Sequence, residues 1–418
     1  MMILVSLTLC TKDKHEDEKA NPSLISEGKE IFRFDTFGDE DFWSGLLHID
    51  KAIAGKNFGG FGAGVSPKTA LAVGLKVDAA ALPSDVVAGI KSGAVDLNDP
   101  ATTLALLKLD AVVGIKGKFN EKGELKSIGV TCASCHSTVD NSFATGIGKR
   151  LDGWPNRDLN VGAIISLTDN AQPLANLLHV TEPTLRNVLA GWGPGKFAAI
   201  LFMDGKAFRP DGKIAANLMP AAFGLKGINL TTYTGWGDIS YWNSFVANLE
   251  MHGKGNFFDP RLNDPVKYPI AVENNFWNVM NTPDLITSKL PALKAYQHSL
   301  SAPNPPANSF DHAAAARGKK IFTTKAKCSS CHTPPLLADN KLHSAAEIGI
   351  DDFEAMRSPT GKYRTTPLGG LFTKTTGGFY HDGRFSNLTE VINHYNNHFT
   401  LNLTPSEKQD LAEYLKSL

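Results

Sequence analysis

Thr131-Cys132-Ala133-Ser134-Cys135-His136 is the stretch on which the reading of this chain turns. Cys-x-x-Cys-His is the attachment sequence for a c-type haem. Its thiols tether the ring, and its imidazole reaches the iron as proximal ligand. A second copy, Cys328-Ser329-Ser330-Cys331-His332, lies near the other end of the chain. Together the copies use four of the five cysteines. A redox Cys-x-x-Cys pair or half of a zinc site are the competing readings. A zinc site would want its four ligands together, and a thioredoxin motif would not repeat with His. Two covalently bound haem c groups are therefore expected, with Cys132, Cys135, His136, Cys328, Cys331 and His332 as the attachment residues. Haem c is assembled outside the cytoplasm, so a periplasmic or extracellular location follows.

Composition narrows the class. The 418 residues carry 42 basic and 42 acidic side chains, a net charge of zero. Nothing in that balance points to nucleic acid or an anionic surface. The expected partners are a redox protein or a small-molecule oxidant. Ile3 to Leu9 is apolar but too short to span a bilayer, and no transmembrane helix is expected. This stretch reads as a clipped export signal. Leu7-Thr8-Leu9-Cys10 resembles a lipoprotein processing site, with Leu9 in place of the usual small residue. Cys10 is thus a candidate lipid anchor; an ordinary signal peptide with an incidental cysteine is the alternative.

The expected fold class is mainly α, with two cytochrome c-type haem domains and small β-hairpin elements. Residues 1–21 read as export signal and tether. Residues 22–298 read as an N-terminal haem domain, 299–310 as a Pro-rich linker and 311–418 as a C-terminal cytochrome c-like domain. Asp99-Pro100 marks a helix start. Val112 to Val130, folded about Asn120-Glu121-Lys122-Gly123, predicts a hairpin that delivers the chain into Cys132. In the C-terminal part, Thr404, Pro405 and Glu407 spell a capping box. Leu411, Tyr414, Leu415 and Leu418 follow as one apolar stripe. Gly28 to Phe32 looks like a degenerate copy of the Gly318 to Phe322 helix start.

Three further segments carry a family resemblance. Tyr363 to Leu368 (YRTTPL), Gly378 to Arg384 (GFYHDGR) and Leu388 to Ile392 (LTEVI) resemble the C-terminal signature of the dihaem cytochrome c peroxidase and MauG superfamily. Cys132 to Asn141, Trp154 to Gly162 and Trp242 to Phe258 are similar to the branch that includes the rubber oxygenase RoxA, although this chain is much shorter. The resemblance implies His136 and His332 as proximal ligands. It places Tyr395 where the peroxidases carry a Met ligand, as MauG does; RoxA-like proteins use a second His there, which points to His394. His398 is a further option. It also implies a first haem without a second protein ligand, whose distal pocket is shaped by Trp242 and by Phe257 or Phe258. Glu250, His252 or Asp259 would then supply an acid–base group, and His179, Met251 and His252 are further ligand candidates. Trp154, Trp192, Trp236 and Trp242 all qualify as a tryptophan between the haems. Arg157 reads either as a propionate partner or as a surface arginine.

Two functions of different class remain. One is an oxidoreductase with a reactive haem at His136, acting on peroxide or dioxygen, and an electron-transfer haem at His332. The other is a non-catalytic electron-transfer dihaem cytochrome.

Overall fold

The computed structural model describes residues 21–374 and 376–418. Cys10 and nearly all of the expected export segment lie outside the described residues. The chain is mainly helical, with six two-stranded sheets among the described residues.

Two helix crossings organise it. Pro22–Phe34 starts with Asn21 accepting from the Ser23 N–H and with Pro at its first turn. It packs against Leu290–Ser299. His312–Thr323 packs in the same way against Pro405–Lys416, whose Thr404/Glu407 capping box is formed as expected. Each crossing depends on one glycine. A Cβ on Gly28 would sit 1.9 Å from the Ala292 carbonyl oxygen, and one on Gly318 would sit 2.0 Å from that of Asp410. One turn on, Phe32 meets Tyr296 edge-on at 5.4 Å and Phe322 meets Tyr414 edge-on at 5.1 Å. The likeness between residues 28–32 and 318–322 is therefore a repeated packing unit. The main core gathers residues between Ile31 and Tyr296, and a second gathers residues between Phe322 and Leu415.

The hairpin forms where the turn residues predict it. Ile115–Phe119 pairs antiparallel with Leu125–Val130, with a register shift at Lys118/Phe119. Directly after His136, Ser137–Val139 pairs with Arg150–Asp152. The attachment turn is thus held between two short ladders. Asp152 ties it to the first helix crossing: its carboxylate accepts from Arg33 (2.6 Å), Tyr296 (2.5 Å) and Ser137 (2.7 Å). Asp39 accepts from the Val130 N–H at the end of the hairpin. Burial, opposed by that N–H, pushes its carboxyl up to about 9.

Gly28→Ala and Gly318→Ala should each destabilise the protein by about 1–3 kcal/mol, because the helices must separate to admit a methyl group. A thermal melt checks this, and an unmoved midpoint would refute the close-crossing account. Asp39 takes up a proton on folding between its unfolded range near 4 and about 9. Stability should therefore fall as pH rises through that window. Asp39→Asn should flatten that fall, measured as the melting midpoint against pH.

Candidate functional site

Each histidine of the two motifs has one ring nitrogen committed to a backbone carbonyl. His136 Nδ1 lies 3.1 Å from the Pro220 carbonyl oxygen, and His332 Nδ1 lies 2.9 Å from that of Leu337. A carbonyl only accepts, so Nδ1 carries the proton and Nε2 keeps its lone pair. Burial brings His136 down to about 4 and also lowers His332. Both rings are therefore neutral at ordinary pH, the form that binds a metal. This carbonyl contact is the outer support that fixes a ligating imidazole.

The thiols behave as apolar groups. Burial raises Cys132 to about 12, and Cys135 and Cys328 to about 11; Cys331 is raised as well. A reactive dithiol works through a depressed thiol pKa, and burial here acts in the opposite direction. Cys331, Asp339 and His343 bring ligand-type atoms within 4.8 Å of one another. Haem attachment would take the Cys331 sulfur, and His343 is already held between Asp339 (3.0 Å) and Glu347 (2.7 Å).

The turn-rich segment after the first motif wraps that motif. Gly153 N–H donates to the His136 carbonyl (2.8 Å) and Asn156 N–H to that of Cys135 (2.9 Å). The Asn156 amide reaches the carbonyls of Gly74 (3.0 Å) and Ser134 (3.2 Å). Thr131 Oγ1 bonds the Arg33 carbonyl, anchoring the other side.

Cys132, Cys135 and His136 line a mostly apolar cavity of about 260 Å³. Two π-helical stretches, Asp41–Leu46 and Val246–Glu250, contribute Phe42, Trp43, Val246 and Glu250 to its wall. Such wide turns re-aim side chains and recur at functional sites. Trp43 Nε1 donates to the Met251 carbonyl, joining the two stretches. Met251 and His252 also line the cavity, and His252 stacks on Phe42 at 3.7 Å. Burial lowers His252 to about 4. Both Glu250 carboxyl oxygens are shielded from solvent without a partner, and burial raises this acid far above its ordinary range. Trp242 is 8% exposed, and its Nε1–H also lacks a partner. This donor set fits haem c: two apolar thiols, an oriented neutral imidazole, an apolar enclosure, and buried polar atoms left over for a bound group.

The expected site residues fare unequally. Trp242, Glu250, Met251 and His252 come together around the cavity. Phe257 and Phe258 do not. Phe257 packs in the core against Tyr241 and Phe245, and Phe258, the next residue in the strand, points the other way and is 63% exposed on Trp277. Asp259 is occupied by the Tyr241 hydroxyl (2.6 Å) and Arg261 (2.8 Å). His179 pairs with Glu273 at the surface. Arg157 is only 5% exposed, so the surface reading fails. Of the four tryptophans, Trp154 packs edge-on against Phe372 of the C-terminal half, at 5.6 Å. Trp192 pairs with Phe197, while Trp236 and Trp242 pair with each other.

On the Leu388–His398 helix, His394 has one ring nitrogen engaged by the backbone, as the motif histidines do, which leaves its Nδ1 uncommitted. Its Nε2 is committed to the Ile348 carbonyl at 2.9 Å, and His398 one turn on does the same with that of Glu347 at 3.1 Å. Tyr395 points about 100° away. Burial, first, and the nearby sulfurs of Cys328 and Cys331 raise its hydroxyl pKa; the Tyr380 hydroxyl lies beside it. The contacts missed by sequence reasoning are mostly backbone ones, Pro220, Leu337 and Ile348. No residue type marks a carbonyl acceptor.

Residues 315–418 match the cytochrome c family, so this segment is a cytochrome c domain, which implies covalent haem c at Cys328, Cys331 and His332. No curated protein matches the chain. Among solved structures, it is similar to Kuenenia stuttgartiensis hydrazine synthase pressurized with xenon, at 18% identity and a TM-score of 0.33, over 49% of this chain and 72% of that one. It is also similar to a MauG-like protein associated with microbial copper homeostasis, at 17% identity and a TM-score of 0.35, over 54% of this chain and 78% of that one. Likenesses this distant fix neither reaction nor substrate.

The placement of the Leu388–His398 helix predicts that Tyr395→Phe alters the electronic spectrum of the haem at His332, whereas His394→Ala leaves it unchanged. The opposite pattern would give the ligand role to His394.

Proposed function

We propose that this chain is an exported dihaem c-type cytochrome oxidoreductase of the peroxidase and MauG kind. Haem c at Cys132, Cys135 and His136 would act on peroxide or dioxygen, and the haem at His332 would pass electrons to it. The observation that carries the reading is Glu250. An electron-transfer site has no use for a buried, unpartnered carboxylic acid, and burying one is costly. A reaction that breaks an O–O bond needs a proton delivered in a dry place.

Haem c at the first motif would supply the redox chemistry toward peroxide or dioxygen. The protein does the rest. His136 presents Nε2 while Nδ1 is held by Pro220. Glu250 keeps its proton at the carboxyl at neutral pH, because burial disfavours the anion. Trp242 offers an N–H donor in the same cavity. The apolar wall excludes water, which strengthens both polar groups. Trp154, one residue from the Gly153 that bonds the His136 carbonyl, reaches Phe372 and is the favoured bridge between the two centres. Tyr395 in place of Met beside the second centre would favour a lower potential there.

The oxidised holoprotein should show a high-spin charge-transfer band and bind cyanide at one haem only. Low-spin bands alone, with no cyanide binding, would leave a plain electron-transfer cytochrome. Glu250→Gln should slow the reaction with peroxide by about 10²-fold or more while cyanide still binds. Parent-like peroxide rates in that variant would remove Glu250 from the mechanism. Turnover with a reduced cytochrome donor separates a peroxidase from an oxygenase acting on an apolar substrate.

A further inference from the structure

Three cations meet where the halves of the chain join. Arg157 comes from the segment that wraps the first motif, and Arg364 and Lys374 come from the C-terminal half. Arg157 is 5% exposed and Arg364 is 9% exposed. Arg157 Nε is buried without a partner, and its Nη1 has only a long contact (3.4 Å) with the Thr376 carbonyl. Arg364 reaches only the backbone carbonyls of Leu230 (2.8 Å) and Thr232. Burial, then repulsion from Arg157 and Arg364, brings Lys374 down to about 7. Among the described residues, none of the three forms an ion pair with a carboxylate. The acids of the join are already taken: Asp351 and Asp382 by Arg209 and Arg384, Asp204 and Glu354 by Arg357.

A buried cationic group of this kind calls for an anion. Its position indicates which one. Arg364 lines the cavity of Cys132, Cys135 and His136. Lys374 directly follows the Leu371–Thr373 turn, and Leu371 shares a buried cluster with Cys328 of the second motif. The cluster therefore reaches both attachment sites at once. We propose that Arg157, Arg364 and Lys374 form one carboxylate-binding clamp, and that it takes propionate groups from both haems. The inference rests on the two-haem reading above. In consequence the clamp couples the centres, since one set of charges acts on both irons. A cation near a haem favours the reduced form, which carries one positive charge fewer.

The test uses the holoprotein, with both haems counted by mass and both midpoints followed by spectroscopic redox titration. Arg157→Gln and Lys374→Gln should each shift both midpoints negative and move the carboxylate bands in the redox-difference infrared spectrum. Arg157→Lys, which keeps the charge, should stay near the parent. Lys374 is less deeply buried, so Lys374→Gln carries the test should Arg157→Gln not fold. Unmoved midpoints in the charge-removing variants, or a shift confined to one haem, would overturn the shared clamp. Added phosphate supplies a second arm: a saturable shift of the parent midpoints would assign the cations to a free anion instead. One haem by mass would overturn the two-haem reading and the clamp with it. Two haems with unmoved midpoints would overturn the clamp alone.

Discussion

The hydrogen bond from each motif histidine to a backbone carbonyl is the contact on which the rest of the structure depends. A haem iron needs a neutral imidazole whose Nε2 is free and whose ring cannot turn. His332 meets the requirement locally, through Leu337 five residues on. His136 meets it through Pro220, 84 residues away. Much of the N-terminal half can be understood as the means of bringing that carbonyl to the motif. The segment after the motif wraps it, and Gly153 N–H then also bonds the His136 carbonyl while its own carbonyl accepts from Ala222 N–H, beside Pro220.

A repeated helix crossing frames two different sites. Gly28 and Gly318 let the helices approach to backbone contact, and Phe32–Tyr296 and Phe322–Tyr414 close the two crossings alike. The C-terminal copy is small, and its motif lies next to the helix that presents Tyr395. The N-terminal copy has 153 residues (137–289) between motif and closing helix, and two π-helical stretches, one before the motif and one after it, wall its cavity. Extra chain, on the same crossing, separates a motif that lines an enclosed cavity from one in a compact domain.

Taken alone, the polypeptide holds costly features together. Glu250 is buried and unpartnered, and among the described residues Arg157, Arg364 and Lys374 are cations without acids. Each opposes folding unless something else answers it. Their concentration around the two attachment sites, rather than through the core at large, is what ties them to function. The surrounding acids show the contrast. Asp152 and Asp204 are equally buried but are saturated by arginine, tyrosine or serine donors.

How much of this was legible depended on distance along the chain. The attachment residues, the capping box at Thr404, the hairpin into Cys132 and the Gly28/Gly318 likeness all follow from side chains a few residues apart, and periodicity and spacing report such contacts directly. The cavity wall was half legible: Trp242 and Glu250 fell in the right stretch, but Phe257 and Phe258 did not reach it, because a two-residue strand sends one into the neighbouring core and the other to the surface. His394 and Tyr395 stood level as sequence, and the fold gives them different surroundings: the Ile348 carbonyl for one His394 nitrogen, the Cys328 and Cys331 sulfurs for Tyr395. Thus the sequence by itself determined that two haem-attachment motifs exist and what crosses over them. The tertiary structure alone decided which carbonyl orients His136, which acid is left unpaired, and which cations meet, because backbone acceptors and long-range burial leave no mark in residue type.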